Sequence, residues 1–116
     1  MTKLVIRLVI NAVALWAAAS FIGGIHLSED IVSVAIVAAI FGLINAVIKP
    51  IVKLFSFPFI ILTLGIFTII INALMLLLTD YFTQSLYIES FMSALFGSIV
   101  ISIVSIVLSA FLDDEA

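Results

Sequence analysis

The sequence contains no cysteine, only two prolines and few charged residues, which make up 9% of its 116 residues. The absence of cysteine excludes disulfide bonds, thiolate metal sites and a cysteine nucleophile. Ordinary soluble domains are about 25% charged and about 45–50% apolar, whereas this chain is 66% hydrophobic. Because a soluble domain of this size could not bury so much apolar surface, we expect an integral membrane protein.

Four continuous apolar runs occupy nearly the whole chain, and each is close to the roughly 20 residues that a helix needs to cross a bilayer. The runs are continuous, whereas the strands of a transmembrane barrel alternate apolar and polar residues, so the spans should be helices. The sequence predicts an all-α integral membrane protein, a single four-helix transmembrane domain over residues 1–116. The predicted spans are residues 4–22, 31–48, 59–79 and 91–112.

The first run also has some features of a secretory signal peptide. Lys3 and Arg7 precede it, and small residues follow at Ala17-Ala18-Ala19. We interpret the run as a retained first helix, because it is long and three further spans follow it.

The basic residues predict the orientation of the chain. All four lie before the first span or between the second and third spans, at Lys3, Arg7, Lys49 and Lys53. Basic residues favour the cytoplasmic side and lipid headgroups. We therefore expect a multi-pass membrane protein with both its N- and C-termini, and the connection between the second and third spans, in the cytoplasm.

The chain shows signs of an internal duplication. Ile10-Asn11-Ala12 recurs as Ile71-Asn72-Ala73, and at the same offset along the chain Leu15 matches Leu76 and Phe21 matches Phe82. Each unit holds two spans, so the two copies would have the same orientation. The pattern predicts two parallel two-helix repeats.

The segment of residues 49–59 has two interpretations. Lys49 and Lys53 are four residues apart and share a helix face, so a short interfacial helix is one. The other is an apolar turn with two lysines that set the orientation. We favour the turn, because the residues between Pro50 and Pro58 barely suffice for a helix and the residue before a proline disfavours helical geometry.

Polar and small side chains recur inside the predicted spans. Amides in hydrocarbon need hydrogen-bond partners, and small residues allow helices to approach closely. We interpret these side chains as contacts between helices, in preference to a polar path or an ion site, because no ionisable residue accompanies them in mid-membrane. The predicted helix-packing residues are Asn11, Asn45, Asn72, Ser98, Ser102, Ser105 and Ser109.

The remaining polar residues do not form a recognisable catalytic or metal site. His26 and the acidic residues Glu29, Asp30, Asp80 and Glu89 fall in the two connections without basic residues. One histidine with dispersed carboxylates lacks the ligand spacing of a metal site, and no nucleophile–base pair or phosphate loop is present. We expect neither an enzyme nor a bound metal or cofactor.

Two stretches of the sequence resemble a known family. These are LVINAVALWAAASFIGGIHL, and GLINAVIKPI followed by FPFIILTLGIFTIIINALML. They are similar to the mycobacterial-type four-transmembrane phage holin family, superfamily IV, over about residues 7–108. The resemblance implies a bacterial inner-membrane protein with four spans. Holins accumulate in the membrane and open it to release endolysin, although many relatives resemble ordinary chromosomal proteins.

Three functions are compatible with these features. The first is a holin-like protein that forms a homo-oligomer in the bilayer and permeabilises it. It is suggested by stripes of small residues, which exceed what one bundle needs. These small-residue stripes are Ala35, Ala38, Gly42 and Ala46 on the second span and Ala94, Ser98, Ser102, Ser105 and Ser109 on the fourth. The second is a non-lytic chromosomal membrane protein with a structural or envelope-maintenance role. The third is a small transporter, which the absence of an ionisable residue in mid-membrane disfavours. Membrane lipids are the expected partners; nothing indicates nucleic acid or a small-molecule substrate.

Overall fold

The structure, a computed structural model that describes residues 2–112, consists there of four helices and two short strands. The elements follow one another as α1 (Thr2–Phe21), β1 (Ile25–Leu27), α2 (Ile31–Leu62), α3 (Ile66–Phe82), β2 (Leu86–Ile88) and α4 (Phe91–Leu112). α1, α2 and α4 are long and apolar enough to cross a membrane, and α3 is a shorter apolar helix of 17 residues. The predicted helical membrane fold with four helices is confirmed.

A two-stranded ribbon joins the two connections that carry no basic residue. β1 pairs antiparallel with β2, so that Ile25 faces Ile88 and His26 faces Tyr87. The apolar side chains of Ile25, Leu86 and Ile88 are buried, while His26 and Tyr87 are exposed. Because a two-stranded ribbon alone is marginally stable, its packing on the helix ends holds it in place. The all-α prediction did not include these strands. We call this end of the molecule the ribbon end, and the opposite end, with Lys3 and Arg7, the basic end.

The duplication predicted from the sequence recurs in the structure. β1 and β2 begin at positions 25 and 86, and α1 and α3 end at positions 21 and 82. Each pair is separated by 61 residues, which is also the separation of the Ile-Asn-Ala triplets at residues 10–12 and 71–73. The paired residues His26 and Tyr87 are themselves related by this offset. A pairing of equivalent residues at the ribbon centre is what a two-fold axis along the bundle produces. The two halves are therefore parallel repeats.

The core follows the same repeat. Leu15 and its counterpart Leu76 are both fully buried, as are Ala18 and its counterpart Thr79. The apolar members of this set, Leu15, Ala18 and Leu76, pack beneath the ribbon in one cluster with its strand residues. The bundle is therefore closely packed between the ribbon and its centre.

The second helix does not end where the sequence predicted. The interpretation of residues 49–59 as a turn is wrong, because α2 continues as one helix through Pro50 and Pro58 to Leu62. Each proline removes one backbone hydrogen bond. The helix persists because Ile48, Val52 and Ile60 pack against a cluster that α2 and α3 share. The third helix accordingly begins at Ile66, not at residue 59.

The last part of α2 runs across the bundle. Ile44 of α2 packs with Ile71 and Met75 of α3, so these residues lie at one level. At about 1.5 Å per residue, Pro50 lies about 9 Å below this level and Ile66 about 7.5 Å below it. The intervening helix, about 18 Å for residues 51–62, therefore connects two points at similar depth. We call residues 51–62 the arm.

A tight connection follows the arm. Gly65 has a left-handed backbone (φ 92°), which glycine adopts without steric cost. The Thr63 hydroxyl accepts a hydrogen bond from the Phe67 N–H (3.0 Å) and donates one to the Phe59 carbonyl (2.8 Å). This residue therefore satisfies backbone groups of both helices and sets the angle between the arm and α3.

Candidate functional site

A polar cavity of about 260 Å³ lies between the four helices, on the basic-end side of the packed core. Each helix contributes at least one polar side chain to its wall. The lining residues are Asn11, Phe41, Asn45, Lys49, Asn72, Ser98, Ile101, Ser102 and Ser105. The cavity therefore brings together Asn11 and Asn72, from the two Ile-Asn-Ala triplets of the repeat, and Asn45, which lies in a third such triplet at Ile44-Asn45-Ala46.

Helical spacing explains why these side chains meet. Phe41, Asn45 and Lys49 follow one another at intervals of four on α2, and Ser98, Ser102 and Ser105 at four and three on α4. Residues at such intervals lie on one helix face. The repeat places the two faces opposite each other, with Asn11 and Asn72 between them on α1 and α3.

The polar atoms of the cavity are only partly paired. The Asn45 side-chain amide donates to the Phe41 carbonyl (2.7 Å), and the Ser98 hydroxyl donates to the Leu95 carbonyl (2.8 Å), each within its own helix. In the part of the chain that the structure describes, the Asn72 Oδ1 atom is buried without a hydrogen-bond partner. A buried polar group without a partner is costly. This atom therefore marks the place where the cavity needs a donor from water or a ligand.

Gly42 makes room for one of the asparagines. A Cβ atom added at Gly42 would lie 2.9 Å from the Asn11 amide nitrogen. Because Gly42 of α2 has no side chain, Asn11 of α1 can reach the cavity.

Lys49 is the charged residue among the lining residues, and it is half-buried. Lys3, Arg7 and Lys53 are all exposed, as headgroup contacts would be. Sequence reasoning grouped Lys49 with these three and treated the asparagines as having no ionisable neighbour. In the structure, Lys49 also lines the cavity beside Asn45, which the sequence did not predict. The four-residue spacing of Asn45 and Lys49 was the signal, but the expected break at Pro50 concealed it.

The cavity is closed towards the ribbon and open at the basic end. On the ribbon side, Ala14, Leu15, Val37, Ala73 and Leu76 are fully buried and leave no passage. On the other side, Lys49 and Ser105 are partly exposed. In a single copy, the packed core therefore closes the cavity on the ribbon side.

The small-residue stripes are used within this bundle. Ala38, Ala94 and Ser98 are buried between its own helices, and Ser102 and Ser105 face the cavity. Ser109 is partly exposed and lies outside the cavity lining. Most of the stripe residues are therefore covered within the bundle, which leaves little of these stripes as a surface for a second copy.

The charged residues at the ribbon end form local structural contacts. His26 Nε2 lies 2.5 Å from the Glu89 carboxylate, and Asp80 accepts a hydrogen bond from the Ile88 N–H (3.1 Å). Asp30 caps α2 by accepting from the Ser33 N–H (3.0 Å), and the hydrogen bonds of Ser33 lower the pKa of Asp30. Within residues 2–112, no three histidine or acidic side chains come close enough to hold a metal ion.

Known proteins similar to this chain are also membrane proteins. Four apolar helices with a closed ribbon end define the class, a multi-pass membrane protein. The chain belongs to the mycobacterial four-transmembrane phage holin family, superfamily IV, which it matches over residues 2–107. The predicted family is confirmed, and it is a family of holins and not of enzymes.

Two bacterial relatives are similar over most of their lengths. An uncharacterised protein of Streptomyces coelicolor is 41% identical, covering 98% of both chains. The uncharacterised membrane protein YvlD of Bacillus subtilis is 32% identical, covering 89% of this chain and 87% of the relative. No solved structure matches the chain.

Proposed function

We propose that the protein acts by self-association in the bacterial cytoplasmic membrane, as a non-enzymatic protein of holin type whose assemblies permeabilise the bilayer. The family supports the general type. The observation that carries self-association is the arm, which replaces the small-residue stripes as the surface for a second copy.

The arm is apolar on nearly every face. Val52, Ser56 and Ile60, at intervals of four, are partly buried and form the face towards the bundle. The other faces carry large exposed apolar residues, among them Leu54 (73% exposed), Phe55 (79%) and Leu62 (79%). An interfacial helix usually has one strongly polar face, whereas Lys53 is the one charged residue of the arm.

The position of the arm makes this apolarity unusual. Residues 31–50 form about 30 Å of helix, which is about the thickness of the hydrocarbon core. The arm therefore begins at the membrane boundary and runs along it, where lipid covers only one of its sides. A helix that is apolar all round is normally buried. A second copy of the arm would cover the side that lipid leaves exposed.

Cross-linking tests this interface directly, since the native chain has no cysteine. In membranes, Phe57→Cys should form a covalent dimer with a short bis-thiol reagent at least tenfold more efficiently than Ile103→Cys, an exposed control on α4. Equal yields at both positions, or no dimer at either, would contradict the proposal.

The permeabilising step has its own test. Induction of the protein in a bacterial host should cause a sudden, concentration-dependent loss of membrane potential with dye entry, because a holin acts above a threshold of assembly. Phe55→Asp together with Phe57→Asp should abolish this effect at equal protein level. Normal growth and intact potential at high expression would refute it.

A non-lytic envelope role is the second candidate. The packed core beneath the ribbon closes the cavity of each copy on that side, and this observation favours assembly without leakage. Cross-linking through the arm with an intact membrane potential would support that role. A small transporter built on parallel repeats is the third candidate. The sequence disfavoured it for lack of an ionisable residue among the polar side chains of the spans, and Lys49 on the cavity wall is such a residue.

The proposed orientation places both termini and the arm in the cytoplasm, because all four basic residues lie at the basic end. Cysteines introduced at Glu29 and Glu89, both exposed at the ribbon end, should react in intact cells with an impermeant thiol reagent. A cysteine at Lys53 should react only after the membrane is opened. If the reagent labels the Glu29→Cys variant but not the Glu89→Cys variant, the four-span topology is wrong.

A further inference from the structure

We infer that the polar cavity binds a phosphate group, as inorganic phosphate or as the headgroup phosphate of a lipid. The inference goes beyond self-association and does not depend on it. It combines three observations: a half-buried lysine, a set of uncharged donors around it, and one buried atom without a partner.

The charge of the cavity selects an anion. Lys49 is the charged residue on its wall, and no carboxylate is among the residues that line it. Lys53, one turn further along α2, is exposed and adds a second positive charge close to Lys49. An ammonium group at the edge of hydrocarbon is costly unless an opposite charge or water accompanies it. An anion in the cavity would provide that charge.

The uncharged groups match the oxygens of a phosphate. The side-chain amide of Asn11 and the hydroxyls of Ser102 and Ser105 can donate hydrogen bonds. Donors that surround one cation are the arrangement by which proteins hold phosphate oxygens. Sulfate and chloride carry no proton to donate, so they would leave one buried acceptor of the cavity without a hydrogen bond.

That buried acceptor is Asn72 Oδ1, the atom without a partner. Inorganic phosphate near neutral pH carries a P–OH group, which can donate to this oxygen while its other oxygens accept from Lys49 and the serines. A headgroup that carries a hydroxyl or an ammonium can donate in the same way. The ligand class is therefore a phosphate with a donor on or beside it.

The cavity has the right size and access. Its volume of about 260 Å³ corresponds to about eight or nine water molecules at about 30 Å³ each, which leaves room for one phosphate group and several waters. Its opening lies at the basic end, near the level of the membrane boundary, which both free phosphate and lipid headgroups can reach.

The test measures binding by the full chain in nanodiscs. In phosphatidylcholine discs, titration with inorganic phosphate should raise the thermal unfolding midpoint, and sulfate should have less than a tenth of the apparent affinity. In a second arm, native mass spectrometry from discs with phosphatidylglycerol should show one retained anionic lipid per chain. Phosphate binding alone assigns the free ion, and lipid retention alone assigns the headgroup. Binding in neither arm overturns the inference.

Matched variants assign any binding to the cavity. Lys49→Gln should weaken binding at least tenfold, whereas Lys53→Gln should weaken it less than threefold, because only Lys49 lines the wall. Ser102→Ala with Ser105→Ala, which keeps the charge, should weaken binding about fivefold. If Lys49→Gln does not fold, the serine variant decides alone. Unchanged binding in the serine variant, or equal effects of the two lysine variants, would contradict the assignment.

Discussion

Replacing Gly97 with leucine should destabilise the protein by about 3 kcal/mol, the upper end of what overpacking a filled core costs. Gly97 is buried on α4 where the ribbon packs on the helices, and a Cβ atom there would collide with the Ile25 side chain and lie 3.4 Å from Leu76. Ile25 is itself buried in β1, so its terminal methyl group has little free space into which it could move. Unfolding of the purified protein in detergent, followed by circular dichroism, measures the loss.

Gly23 provides the matched control. It lies in the connection before β1, and a Cβ atom there would meet nothing within 4 Å. Gly23→Leu should therefore change stability by less than about 0.5 kcal/mol, as is usual for exposed positions. Equal losses at the two glycines would show that the ribbon does not dock on α4 as described.

Leu15→Ala and Leu76→Ala should each lower stability by about 2 kcal/mol, the lower end of the range for buried leucines. The value is low because unfolded helices remain in lipid or detergent, so the substitution loses packing more than hydrophobic transfer. Both leucines are fully buried and equivalent in the repeat, so their losses should agree.

The control for this pair is Leu74→Ala, the same substitution on an exposed face of α3. It should have little effect, since lipid replaces the lost contacts. A large effect of Leu76→Ala with none of Leu15→Ala would contradict the description of the core as two equivalent halves.

The sequence was most informative where local periodicity determines the structure. Continuous apolar runs predicted four helices, and the two Ile-Asn-Ala triplets at residues 10–12 and 71–73 predicted the repeat. The repeat also contains the signal for the ribbon, since residues 25–27 and 86–88 share the offset of the triplets. Such short strands, however, exist only through pairing between distant parts of the chain, which periodicity does not report.

The prolines explain the main error. In isolation, Lys49-Pro50 ends a helix, because proline removes a hydrogen bond and restricts the preceding residue. Packing of Val52 and Ile60 against the cluster around Ile71 keeps α2 helical instead. This tertiary contact also determines the position of Lys49. A helix that continues through Pro50 keeps Lys49 on the face of Asn45, in the cavity, and so supplies the ionisable neighbour that the sequence interpretation lacked.

Access to a cysteine at Ser105 tests most directly whether the four helices enclose a polar cavity that opens only at the basic end. Ser105 lines the cavity. In inverted membrane vesicles, Ser105→Cys should react with a small impermeant thiol reagent, and prior addition of inorganic phosphate or anionic lipid should slow the reaction. In intact cells, where the proposed orientation exposes the ribbon end to the reagent, it should not react. Reaction from the ribbon side, or from neither side, would contradict the account.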